Sequence, residues 1–485
     1  MRKINSSFTA SSKRMLQRCA SAVLLASAGL AGLASCTETL EESVAPSTVG
    51  AADSETVEAS FSPTQRNRPV LPATASLEKA TFIDPTVTIT GANSILLGPQ
   101  IYIGPFARLL ADDRKDKDRS TGTPVTAVSL QGNGHDEDIQ IRIGKETNLQ
   151  DNVTVVADAN RSGADRAKVA ALGIEGVEIG ERVILAHGST VKGPAQIGIE
   201  GTNIPVDPDD DQEVFLSFGC EIDGAILEKN TGVSALARVG PGVRLRSGYI
   251  VLPGKNVTTQ AEADDPGLGK VRLLVEADIL FNEGVLEVNI AFAREYSRLF
   301  RENPSNVRGI NFDPGNTGFN PNRDLPKLAG RPTQIPGYRN RIIGEVSIAN
   351  SFPDLQHVLG EGISIRADEG EPFVIGRIAR MDDNVIFHAL EQTPIQAGDN
   401  IRYGERSIVH GGGRRPLAGG GDDEPTILED NVQLKSQAVV FRSLIGRGAS
   451  VGRKSAVVNT DVAPNTVIPD RVVYVNNALF GPVEW

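Results

Sequence analysis

Large aliphatic residues return every six positions along most of this chain. Ile83, Ile89, Ile95 and Ile101 hold that spacing before the frame slips by two to Ile103 and Leu109. The rhythm resumes at Ile143 and Leu149 and is clearest at Ile179, Leu185, Val191 and Ile197, where most hexads also carry a small or β-branched fifth residue. It continues through Val233, Val239, Leu245, Val251 and Val257. A helix repeats at about 3.6 residues and a strand at about 2, so neither sustains such a pattern. A triangular parallel coil does. Each flat side is one short strand, two residues point inward, and a tight turn makes each corner.

The pattern then breaks. Asn282 to Glu302 reads as an amphipathic helix with Val285, Val288, Ala291, Phe292 and Leu299 near one face. Asn303 to Tyr338 is rich in Pro, Asn and Gly and reads as a connection. Near Arg341 the six-residue period returns, most regular at Leu428, Leu434 and Val440 and again at Ile445, Val451 and Val457. The sequence therefore predicts two β-helical bodies in tandem, 79–302 with its terminal helix and 339–485, joined by 303–338.

Composition agrees. The 485 residues are 40% hydrophobic and only 5% aromatic, as narrow interiors filled by Val, Ile, Leu and Ala require. A formal charge of −12 leaves no basic face for nucleic acid, and 3 Cys cannot build a multi-bridge framework. Arg2, Lys3, Lys13, Arg14 and Arg18 precede the first acidic residue, Glu38, and a small apolar run follows from Ala20 to Ala34. That run is too short for a spanning helix of about 20 residues and reads as a secretory signal, 1–36. It ends in Leu33-Ala34-Ser35-Cys36, which resembles the lipobox of bacterial lipoproteins. The resemblance implies lipid on Cys36 and a place in the cell envelope, leaning to the outer membrane because Thr37 is not aspartate. Residues 37–78 have the composition of a flexible tether reaching roughly 35 Å.

The second body contains Ser364-Ile365-Arg366-Ala367-Asp368-Glu369-Gly370 and then Asp382-Asp383-Asn384-Val385-Ile386-Phe387-His388. The first contains Asn148-Leu149-Gln150-Asp151-Asn152-Val153 and Leu185-Ala186-His187-Gly188-Ser189-Thr190-Val191-Lys192-Gly193-Pro194-Ala195. In these elements the chain resembles the γ-class carbonic anhydrases, whose R-x-D-E-G, Q-D-(G/N)-V-x-x-H and L-A-H-x-x-x-V-H-G-P-A motifs they follow. Val257 to Asp264 and the helix with Asn289 are similar too. The resemblance implies a left-handed parallel β-helix, against the right-handed crossover rule. It also implies threefold packing of β-helices in a homo- or hetero-oligomer. At the interface, three histidines would hold Zn2+ (or Fe2+ or Co2+), and CO2 and bicarbonate would be the substrates.

Each body departs from the pattern. In the first, Val156 and Lys192 stand where two ligands belong, and His187 remains. In the second His388 remains, and a gapless alignment of Leu428 to Ile445 puts Ser436 and Phe441 at the other two ligand positions. His410, in Ser407-Ile408-Val409-His410-Gly411-Gly412, lies in an expected loop that supplies the third ligand if it folds onto His388. The losses are complementary. The expected site is therefore His187, His388 and His410 with Glu391 as proton relay, and Glu369, Gln150 and Asn289 as catalytic groups. Arg366, Asp151 and Asp368 form the expected interface ion pair, whose arginine position in the first body is Leu110. His135 and the cluster Asp207, Asp209, Asp210 and Asp211 read as solvated loop residues, and Asp382 and Asp383 as corner residues. His357 has no evident partner. Two other functions remain open: a catalytically inactive β-helical scaffold and a hexapeptide acyltransferase.

Overall fold

A computed structural model describes residues 76–111, 139–201, 213–307, 310–311, 339–369, 372–390, 393–413 and 424–485. The expected signal, Cys36 and most of the expected tether, the greater part of the connection, His135, the Asp207 cluster and Glu391 lie outside them. Each short strand pairs in parallel with the strand one coil away: Val183–Leu185 lies between Asn148–Leu149 and Val214–Leu216. Among the described residues the first body closes three sheets of eight, seven and six strands, and the second three of nine, six and four. The fold is two tandem parallel β-helices with a helix after the first.

The hexad residues are the reason. Leu185, Val191 and Ile197 are fully buried and stack coil upon coil into one continuous core, and a separate core fills the second body. At the corners the chain turns through the left-handed region, where Asn and Gly are favoured. Asn152, Gly188, Gly219, Leu236 and Gly254 each have φ between 54° and 70° along one edge of the first body. Gly188 and Gly219 serve that turn without strain. Antiparallel strands end both stacks: Val271–Leu273 on Tyr249–Val251, and Ala478–Pro482 on Val472–Val475.

The long helix runs from Glu276 to Glu302, starting before Asn282, where the apolar face begins. Its first turn is set by polar chemistry that hydrophobic spacing does not show. Asp278 accepts the Val275 N–H at 2.9 Å and a bidentate pair from Arg272 at 2.6 and 2.8 Å, placing negative charge at the helix N-terminus. The helix covers the join between the bodies. Phe292, Tyr296 and Leu299 pack on Phe82 and Tyr102 of the first and Ile343 of the second.

The bodies are also tied by polar contacts. Arg341 and Asp84 form a buried ion pair at 3.1 Å. At the other end Trp485 donates its indole N–H to the Leu236 carbonyl at 2.6 Å, and Glu484 accepts from Lys255 and from the Asn256 N–H. Among the described residues no helix is long and apolar enough to cross a membrane.

Candidate metal centre

A corner of the first body faces a flat sheet of the second, and the two present matched columns of side chains. The corner column is Asp151, His187, Phe218, Ala235 and Pro253. Successive coils are tied by hydrogen bonds from the following N–H, as from Gly188 to the Asp151 carbonyl and from Gly219 to the His187 carbonyl. In the sheet, His388 pairs with His410, His410 with Phe441, Phe441 with Val458 and Val458 with Val475. Arg366 lies one coil below His388, on the strand Ser364–Ala367. Period-2 alternation sends all of these outward from the second body, while Phe387, Val409 and Val440 point into its core.

The three imidazoles meet where the columns meet. His187 Nε2 lies 3.0 Å from His388 Nδ1, and His388 Nδ1 lies 3.3 Å from His410 Nε2. One nitrogen from each ring falls within 4.8 Å of the others, and all three rings are buried. The other nitrogen of each ring faces an oxygen, and that of His410 meets hydrogen-bond geometry. His187 Nδ1 is 2.9 Å from Asp151, His388 Nε2 is 3.3 and 3.2 Å from Asp368 and Glu369, and His410 Nδ1 is 2.6 Å from the Gly411 carbonyl. Since those partners only accept, in the neutral rings each outer nitrogen carries the proton and each inner one presents a lone pair. With all three rings neutral, three lone pairs converge with no donor between them. A metal ion satisfies that arrangement, and so does a proton on His388 Nδ1, which faces both other inner nitrogens.

The dimensions fit a metal. Bonds of about 2.0–2.1 Å at tetrahedral angles place two ligand nitrogens roughly 3.3–3.4 Å apart. Two of the separations are already near that value. Charge fits as well: Asp151, Asp368 and Glu369 oppose one guanidinium, a formal excess of two negative charges that a divalent ion cancels. Burial, opposed by Asp151, pulls His187 down to about 4, and burial together with the two neighbouring histidines pulls His410 well below its ordinary value. Both are therefore neutral, as ligands must be. Burial and Arg366 also oppose charge on His388, yet Glu369 and Asp368 outweigh them and raise it.

Arg366 joins the two halves. It is wholly buried, donates through Nε and Nη2 to Asp151 at 3.0 and 2.9 Å, and through Nη1 to Asp368 at 2.5 Å. Asp151 also accepts Ser364 Oγ at 2.7 Å, and Tyr296 on the long helix donates to Asp368. Burial disfavours both carboxylates, but Arg366 outweighs it and holds each below the usual range. The pair between Arg366 and Asp151 lies at the seam between the bodies.

Two sequence expectations need correction. His410 is not in a loop: it sits on the strand Ile408–Gly411, in register with His388. Phe441 is one coil beyond His410, and Ser436 lies in the corner before that strand, so neither holds a ligand position. The gapless alignment fails because coil lengths differ. His388 and His410 are 22 residues apart, whereas Asn459 and Asn476, one coil apart near the chain's end, are separated by 17. His357 lies in the last turn of the helix Phe352–Val358, outside the triad, and Asp382 and Asp383 occupy a corner.

Gln150 is buried beside Asp151. Asn289 gives its Nδ2 to the Val285 carbonyl at 2.8 Å and leaves Oδ1 without a partner among the described residues. Asn148, on the strand beneath that helix, leaves both amide atoms so. Sequence reasoning passed over Tyr296, Ser364 and Phe218. Phe218 had a signal: it repeats the place of His187 one coil on, each followed by glycine.

Fold and site define a tandem β-helix with a histidine triad between its bodies. No family model matches the chain. It is similar to the carbonic anhydrase of Methanosarcina thermophila, 25% identical over 181 residues, 33% of this chain and 65% of that one. It is also similar to the carboxysome assembly protein CcmM of Nostoc sp., 27% identical over 147 residues, 28% of this chain and 23% of that one. CcmM of Synechocystis sp. is 29% identical over 138 residues, 26% and 18% of the two chains. The chain spans less than two thirds of the length of each. A hexapeptide transferase family protein from Anaplasma phagocytophilum overlaps 44% of this chain and 90% of its own at 18% identity, with a TM-score of 0.26 that carries no argument.

Proposed function

We propose that this protein is a carbonic anhydrase-like, metal-dependent lyase that interconverts CO2 and bicarbonate at the seam between its two β-helices. One observation carries the reading: three buried imidazoles from the two bodies converge with one nitrogen apiece within 4.8 Å of the others, a spacing and donor set that suit a divalent ion. Similarity to the Methanosarcina thermophila carbonic anhydrase supports the reaction class.

His187, His388 and His410 would hold the ion, zinc or in its place iron or cobalt. A divalent metal there supplies Lewis acidity that brings the pKa of a water toward 7. The chain's own groups do the rest. Asp151 and Asp368, locked by Arg366, keep two imidazoles from turning, and the Gly411 carbonyl keeps the third. Glu369, 3.2 Å from His388 Nε2, is placed to accept a proton at that edge of the site, a role the resemblance shares with Glu391. The free amide atoms of Asn148 and Asn289 are available to hold a polar ligand, and Gln150 lies one residue before Asp151.

The test is metal analysis of the purified protein together with stopped-flow CO2 hydration. Expected are about one divalent ion per chain and hydration above the buffer rate. A protein that takes up no zinc, iron or cobalt overturns the proposal. It would then favour a scaffold, the reading that similarity to the carboxysome assembly proteins supports.

The envelope location is proposed on the lipobox alone. Cys36→Ser is expected to move the protein from the membrane pellet to the soluble fraction of lysed cells; unchanged sedimentation would refute lipid anchoring.

A further inference from the structure

A groove of about 390 Å³ follows the seam, with one wall from each body. In the first body the wall is a ladder of residues on successive coils, Arg108, Thr154, Thr190 and Glu221, in direct register. In the second it is a column of corner residues, Asn384, Arg406, Gln437 and Lys454. All four turn through the left-handed region, and from Arg406 onward each donates its N–H to the corner one coil before. Strands on neighbouring coils lie about 4.8 Å apart, so each wall extends roughly 14 Å.

The chain has a formal charge of −12, yet this groove is basic. Arg108, Lys192, Arg406 and Lys454 line it against one carboxylate, Glu221, which Lys192 already holds at 2.7 Å. Arg406 meets Glu405 at 3.5 Å, with both side chains more than half exposed. Lys454 has no carboxylate at ion-pair distance among the described residues, and its ammonium rests 3.2 Å above the Trp485 ring. Burial and the nearby Arg471, Arg238 and Lys192 push Lys454 down to about 8 against the pull of Glu221. Between the charges, the side chains of Thr154, Thr190 and Gln437 make no hydrogen bond among the described residues and offer donors.

Such a lining calls for an anion, and its length selects the kind. A phosphate or bicarbonate ion reaches one level of the walls. An extended peptide rises about 3.3 Å per residue, so roughly five residues cover the groove and bring a carboxylate to each level. Single-stranded nucleic acid needs rings on which bases stack. The lining has two, Phe106 and Trp485, and Lys454 covers the indole.

We propose that this groove docks an extended acidic segment of another protein, its carboxylates paired with Arg108, Arg406 and Lys454. The walls belong to different bodies, so the bound segment fastens the same seam that Arg366 and Asp151 close inside. The inference is independent of the reaction proposed above and holds for an enzyme or a scaffold.

The test is fluorescence anisotropy of fluorescein-labelled penta-glutamate titrated with the full chain. Binding is expected at low salt and is expected to weaken as salt rises. Arg108→Gln, Arg406→Gln and Lys454→Gln are each expected to weaken it about fivefold. Arg108 and Arg406 are exposed, so their replacement leaves the core intact. Arg380→Gln removes an exposed cation outside the groove and is expected to leave binding unchanged. Absence of binding overturns the proposal, as does binding that the groove variants weaken no more than Arg380→Gln. Displacement by equimolar inorganic phosphate, marking a small-anion site, or tighter binding of oligo-dT, marking a nucleic-acid groove, overturns it too.

Discussion

Arg366→Ala is expected to destabilise the folded chain by about 3–5 kcal/mol, the usual consequence of removing one partner from a buried ion pair. The geometry puts this variant at the upper end. Asp151 and Asp368 share that guanidinium, all three side chains are fully buried, and alanine would leave both carboxylates uncompensated. The rings of Tyr102 and Phe292, each 5.7 Å from the guanidinium carbon, would lose their cation as well. Urea denaturation followed by fluorescence measures it, because the only Trp, Trp485, spans the seam from the second body to Leu236. Adding Asp151→Asn and Asp368→Asn is expected to recover part of the loss, since the penalty lies in the stranded charges. An Arg366→Ala protein as stable as wild type would show that the network contributes nothing to holding the bodies together.

His187→Ala and His388→Ala are expected to abolish stable metal binding, and with it CO2 hydration, although each substitution touches only one body. Two imidazoles do not make the three-ligand set of a catalytic zinc site. Asp151→Asn keeps all three ligands but replaces a charged acceptor, so a smaller effect is expected, a loss of about 10–100-fold in metal affinity. Competition with a chromophoric chelator gives all three values. Should His187→Ala bind metal as tightly as the wild type, the ion is held by the second body alone and the seam is not the site.

The β-helices were legible in the sequence because every coil repeats one demand: a residue such as Leu185 or Val191 faces a narrow interior from which solvent is absent. No other element imposes a six-residue spacing. The pairing of Arg366 with Asp151 was legible through complementary losses, as one body kept the arginine and the other an aspartate. Which histidine joins His388 was less so. His410 precedes an insertion whose residues 414–423 lie outside the described structure, and sequence alone does not show where the chain re-enters register. The start of the long helix was hidden for another reason: Asp278 and Arg272 fix it by charge, which hydrophobic spacing does not reveal. Tyr296 was hidden because its hydroxyl meets Asp368 across 72 residues, a tertiary contact without local trace.

The corner with His187 and the sheet with His388 and His410 belong to one polypeptide. Two separate chains offering these surfaces would have to find each other, and the fraction assembled would fall on dilution. Covalent linkage replaces that encounter with a unimolecular closure governed by an effective concentration. The completed site then persists in a sparsely populated compartment, where subunits meeting by diffusion would stay apart.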